Sequence, residues 1–196
     1  MRTSWAISSF VLLLLTACQD GGEASTASQP TVTEEAGEKW VGVTVETQHL
    51  DFELPAAWQQ LKPSSSMRIA QARIPGNAGS GELAVFHFGA GQGGGVDANI
   101  DRWVQQMEVP PNESPKRDSF RVGDFAVSWV EVGGTLKAGS MGMGPQTAQS
   151  NYRLLGAVVE GPQGPWFFKA TGPDETLRTE RAAFLAMLRT VRAKST

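Results

Sequence analysis

Cysteine occurs once in the 196 residues, at Cys18, so no disulfide can form within the chain and its fold must rest on an apolar core. Histidine occurs twice, at His49 and His87, in neither an H-x-x-x-H nor an H-x-E spacing, and one pair cannot supply a histidine-rich metal site. No basic excess exists. The 17 Lys and Arg against 20 Asp and Glu leave a net charge of −3, which argues against nucleic acid as a partner, because no cations are left over to neutralise phosphates. No apolar run reaches the roughly 20 residues that span a bilayer, and no repeat of 20–50 residues is visible. What is present suffices for one domain: 40% of residues are hydrophobic and the aromatics include nine Phe and six Trp, so most of the chain can bury surface and fold.

Met1-Arg2 is a short basic segment, and Ile7 to Leu15 is apolar apart from Ser8 and Ser9. Too short to cross a membrane, this pattern reads as a signal peptide over residues 1–17. It ends in Leu15-Thr16-Ala17-Cys18, an apolar residue and two small ones before the only thiol. That sequence resembles the lipobox of bacterial lipoproteins. The resemblance implies that Cys18 becomes the first mature residue, with a diacylglyceryl group on sulfur and an acyl chain such as palmitate on nitrogen, and two or more chains anchor stably where one would not. In lipoproteins of enterobacterial type an aspartate after the cysteine favours retention at the inner membrane, so with Gln19 in that place the resemblance points to the outer membrane, although Asp20 follows one place late. The domain is then expected in the periplasm.

Residues 18–39 are small, polar and acidic, with Asp20, Glu23, Glu34, Glu35 and Glu38 against Lys39. Their apolar area is too small to offset the entropy of ordering them, so they read as a tether with a typical reach of roughly 25 Å. Residues 40–196 form the single globular domain and are formally neutral, which writes neither strong steering nor polybasic lipid binding into it.

Val41 to Val45 and Leu50 to Leu54 alternate with period two and predict two short strands. In Ser66 to Ile74 the same period puts Met67, Ile69, Gln71 and Arg73 on one face and Arg68, Ala70, Ala72 and Ile74 on the other. Glu82 to Phe88 is nearly all apolar, which predicts a central strand covered on both sides. Asp97 is a candidate N-cap for a helix whose Val96, Ile100, Trp103, Val104 and Met107 recur at three- and four-residue spacing up to Pro110-Pro111. Phe120 to Val122, Phe125 to Val132, Asn151 to Glu160 and Pro165 to Thr171 read as strands, and Thr176 to Val191 as one closing helix, whose basic end of Arg189, Arg192 and Lys194 complements the helix dipole. Two strand blocks with hairpin-length turns, each followed by a helix, predict an α+β fold: a mostly antiparallel sheet with helices packed on it.

Phe52-Glu53-Leu54-Pro55 with Trp58, Met67-Arg68-Ile69-Ala70, a glycine loop leading to Asn99-Ile100-Asp101-Arg102-Trp103, and Phe167 to Pro173 before a terminal helix follow one another in an order that resembles a group of bacterial lipoproteins. Those are similar to the PsbP-like fold group, an α/β/α sandwich shared by an extrinsic subunit of photosystem II and by Ran-binding nuclear import factors. The resemblance spans about residues 43–191 and implies an accessory or binding role rather than catalysis, although fold alone does not assign function.

Gly89 to Gly95 formally contains G-x-G-x-x-G between a strand and a helix, the arrangement that lets backbone approach a pyrophosphate. Asp97 would place a carboxylate at that anion site, and the segment after the helix holds Pro110-Pro111 instead of a second parallel strand, so a dinucleotide is not expected and no cofactor is implied. The loop, with Gly91, Gly93 and Gly94, could instead serve a small polar or anionic ligand, or be a connection whose glycines relieve crowding. Asn99 and Arg102, three apart, share a helix face near it and could hold a carboxylate or phosphate together; otherwise they make a solvated face with a local bond from Asn99 to the loop. Lys169 alternates with Phe167 and Thr171, as either a recessed contact with a lowered pKa or a stem that snorkels to water. Trp103 belongs to the apolar stripe. Met141 and Met143 in the long 133–150 segment are too few for a Cu(I) site and read as part of a loop that orders against a partner. No G-x-S-x-G is present, and Asn112-Glu113-Ser114, a glycosylation sequon in form, loses that meaning in a bacterial chain.

These observations lead to one expectation and an alternative. The expectation is a lipid-anchored, non-enzymatic module of the bacterial envelope, held to the membrane through Cys18 and engaging an envelope protein. The alternative is a ligand-binding protein or hydrolase with a pocket near Gly89–Gly95.

Overall fold

The computed structural model describes residues 42–139 and 145–194. Cys18 and its lipobox, the 18–39 tether, and Met141 and Met143 lie outside the described residues. In chain order the elements are β1 (Gly42–Glu46), β2 (Leu50–Pro55), β3 (Gln59–Leu61), β4 (Arg68–Ile74), β5 (Gly81–His87), α1 (Val96–Gln105), β6 (Met107–Glu108), β7 (Lys116–Val122), β8 (Phe125–Leu136), β9 (Gln149–Gly161), β10 (Gly164–Pro173), α2 (Asp174–Thr179), α3 (Arg181–Leu188) and β11 (Arg192–Ala193).

Eight strands form one sheet in the order β3-β4-β5-β10-β9-β8-β6, with β7 paired to β8 beside β6, and β1-β2-β11 form a second. Every pairing is antiparallel. The fold is therefore α+β with a mostly antiparallel sheet and helices packed on it. Period-two alternation divides the larger sheet between two cores. Along β10, Trp166, Phe168 and Ala170 join Phe52 and Leu54 of β2 and Phe184 and Met187 of α3 in the larger one. Phe167, one place out of phase, joins Ile100 and Trp103 of α1 in the smaller. The eight-stranded sheet is thus the middle layer, with α1 on one face and the small sheet, α2 and α3 on the other. Interior β5 buries Leu83, Ala84 and Val85, in line with its apolar sequence.

Helix α1 seats on β9 at Gly156, where a Cβ would stand 2.4 Å from the Trp103 ring. That close approach requires glycine, because any side chain there would lift the indole off the sheet.

Four local expectations are corrected. Gly95, not Asp97, is the N-cap of α1, and no side chain caps it; the buried Asn99 ties down the preceding loop from inside the helix. The expected closing helix is two helices that meet at Glu180, whose carboxylate accepts a 2.7 Å hydrogen bond from Trp58 Nε1, and the chain then pairs β11 with β2. The register of β4 against β5 shifts between Arg68 and Ala70, so Arg68 pairs with Phe86 and shares the face of Gln71, not that of Ala70. Finally, β8 runs to Leu136 and β9 starts at Gln149, so both ends of the 133–150 segment are strand.

Candidate functional site

The glycine loop is bound to its helix by one amide. Asn99 is 1% exposed; its Nδ2 donates to the carbonyls of Gly93 (2.9 Å) and Gly95 (2.8 Å), and its Oδ1 accepts from the Arg102 guanidinium. Both amide hydrogens and the acceptor are thus used inside the fold. Gly91, Gly93 and Gly94 all have positive φ, at 70°, 83° and 81°, and a Cβ on Gly93 would stand 2.7 Å from the Phe167 ring. Left-handed backbone and contact with an aromatic ring account for glycine at position 93 without any ligand.

Arg102 and Lys169 are brought to one place. Helix α1 lies over β8 and β9, and beside it the same sheet face continues over β10, β5 and β4. There Lys169, opposite Ala84, donates to Gln106 Oε1 from the helix end, and Arg68 donates to Glu82 Oε1 at 2.6 Å while Gln71 donates to Glu82 Oε2 at 2.8 Å. Burial of the Lys169 ammonium, reinforced by repulsion from Arg68 and Arg102 and partly opposed by Glu82, lowers its pKa from 10.5 to about 8. The lysine neither snorkels into open water nor finds a carboxylate of its own. The same side of the sheet also carries aromatic rings: Phe88 is 47% exposed, with its ring 6.4 Å from Phe86 and 5.8 Å from Phe167. Three cations, one carboxylate and an exposed phenyl thus lie on one side of the sheet.

Two further groupings escaped the sequence reading. Arg153 and Glu131, each with 3% of its side chain exposed, pair at 2.6 Å on the α2–α3 side of the sheet. Arg153 also reaches Asp174 at 2.8 Å and Glu113 at 3.5 Å; Arg181 Nε reaches the second Glu131 oxygen at 2.7 Å, and Arg178 holds the second Asp174 oxygen at 2.7 Å. The signal lay in the alternation itself. Glu131 is in phase with Phe125, Val127 and Trp129, and Arg153 with Leu155, Ala157 and Val159, so each is a charge on an apolar face.

The two histidines also meet. His87 stacks on Trp166 with ring centroids 3.9 Å apart, His49 lies edge-on to it at 5.9 Å, and His87 Nε2 is 2.9 Å from the Gln163 carbonyl oxygen. Among the described residues no group of three or more His, Cys, Asp or Glu is placed to hold a metal ion, and no helix is long and apolar enough to cross a membrane.

No family model and no curated protein matches the chain. Among solved structures it has a distant likeness to a protein of unknown function from Pseudomonas aeruginosa, with 17% identity over 79% of this chain and 99% of that one and a TM-score of 0.43. Another is to cyanobacterial PsbP from Synechocystis sp. PCC 6803, with 10% identity over 83% of this chain and 99% of that one and a TM-score of 0.47.

Proposed function

We propose that the chain is a lipid-anchored binding module of the bacterial envelope that engages a protein partner and carries out no chemistry of its own. The anchor is Cys18, at the end of the lipobox-like Leu15-Thr16-Ala17-Cys18, and the domain stands in the periplasm on its tether. The observation that carries the binding role is the exposed Phe88 on the same side of the sheet as Arg68, Arg102 and Lys169. Aromatic and arginine side chains dominate the energetic centres of protein interfaces, and three cations against Glu82 select an acidic partner surface with an apolar residue to cover the phenyl ring.

The test is crosslinking in living cells from a photoreactive amino acid at position 88. The expected result is one envelope protein captured by the lipidated chain, lost when Arg68 and Arg102 are both changed to Glu. Capture that survives this charge reversal, or no envelope protein captured, refutes the assigned face. Membrane fractionation of Cys18→Ala tests the anchor separately: the variant is expected to leave the membrane fraction, and normal fractionation overturns the lipobox reading.

A further inference from the structure

A cavity of about 370 Å³ opens over the buried Arg153–Glu131 pair, lined by Asn112, Glu113, Ser114, Lys116, Arg178 and Arg181. That volume falls within the range of roughly 300–1,000 Å³ common for small-molecule sites. Its floor is saturated. Arg153 donates from Nε, Nη1 and Nη2, and both oxygens of Glu131 are taken, one by Arg153 and one by Arg181. The rim is not. Arg181 uses only Nε, with its guanidinium 5.1 Å over the Trp129 ring, so both of its terminal nitrogens stay free, and Arg178 uses only one nitrogen on Asp174. The Lys116 ammonium, the Asn112 amide and the Ser114 hydroxyl have no hydrogen-bond partner among the described residues. Against these donors the rim offers one carboxylate, Glu113, whose 3.5 Å contact with Arg153 is the longest in the network.

We infer that this cavity binds a small oxyanion, a carboxylate or a phosphate, at its rim. Lys116, Arg153, Arg178 and Arg181 outnumber Glu113, Glu131 and Asp174, so the site carries a net positive charge when empty. Guanidinium forks match the paired oxygens of carboxylate and phosphate, and here one fork is already held by Glu131 at Nε and placed 5.1 Å over an indole, so less entropy is lost when it binds. Glu113, loosely held, is the group the ligand displaces, so this carboxylate opposes binding while the buried floor positions the two arginines. The site is on the opposite sheet face from the Phe88 surface and does not depend on that surface's role.

The experiment is calorimetric titration of inorganic phosphate and, separately, of succinate into the full chain in a non-ionic detergent at constant ionic strength, which distinguishes tetrahedral from planar oxyanions. Saturable binding of at least one probe is expected, weakened about tenfold by Lys116→Ala or Arg178→Ala and strengthened by Glu113→Gln, with Lys62→Ala unchanged as the control. Both Lys116 and Arg178 are exposed, so their truncation leaves the fold intact, which circular dichroism checks. If neither probe saturates, or if Lys116→Ala and Arg178→Ala bind as the unaltered chain does, the inference is overturned.

Discussion

Replacing Glu131 by Gln should destabilise the fold strongly for a change of one charge. Glu131 and Arg153 each expose 3% of their side chains, so the substitution leaves a guanidinium in the sheet interior without the negative charge that faced it at 2.6 Å, and sets an amide NH2 against one of the two arginines. Breaking such a buried pair costs about 3–5 kcal/mol. Asp174, at 2.8 Å, stays to share the Arg153 charge, and Arg181, 40% exposed, contributes little when released, which places the loss near the lower limit, about 3 kcal/mol. At roughly 2–4 °C per kcal/mol for a chain of this size, the melting temperature should fall by about 6–12 °C. The assay is chemical denaturation followed by tryptophan fluorescence, with Trp129 beneath Arg181 as a local reporter. A double variant, Glu131→Leu with Arg153→Met, should lose less than the two single variants together, because removing both charges removes the desolvation penalty as well. A loss below about 1 kcal/mol for Glu131→Gln, or additive single losses, would refute the account of this network.

Because the Lys169 pKa is lowered to about 8 in the folded chain, the unfolded chain binds more protons between pH 8 and 10.5, so this group's contribution to stability rises with pH across that window. Lys169→Met should flatten that part of a stability-against-pH profile. Gly156→Ala should push Trp103 off the sheet and cost about 1–3 kcal/mol, read as lost stability and a changed near-ultraviolet dichroism. Asn99→Ala should leave the Gly93 and Gly95 carbonyls and the Arg102 fork without their partner, at about 1–3 kcal/mol, with faster amide exchange confined to residues 89–99. An unchanged exchange pattern in that loop would show that Asn99 does not hold it.

The main strands and α1 were legible where burial follows a short period: Leu50, Phe52 and Leu54 are buried at every second place, as are Phe125, Val127 and Trp129, and Ile100 and Trp103 recur at helical spacing. The two-residue strands Met107–Glu108 and Arg192–Ala193 were not, because two residues carry no period and pair only where a neighbouring strand already presents a free edge. Glu180 looked like one more helical residue, and its place between two helices, with its carboxylate on the indole of Trp58 122 positions away, shows only in the fold. The bulge at Arg68 moved a cation from the core face to the face of Lys169, since an extra residue in one strand reverses the alternation on one side of it.

The amino-acid sequence by itself determined the α+β class, the apolar faces, the absence of disulfides and the single thiol with its lipobox-like flank, because each is a property of composition or of near neighbours in the chain. It also carried, unread, the two misplaced charges, Glu131 and Arg153. Only the tertiary structure decided that those two charges meet each other, that His49 and His87 share one corner with Trp166, and that Arg68, Arg102 and Lys169 come to the same side of the sheet as an exposed phenyl ring. Such contacts join residues from strands and helices far apart in the chain, and their pairing depends on strand order and register, which local periodicity does not encode.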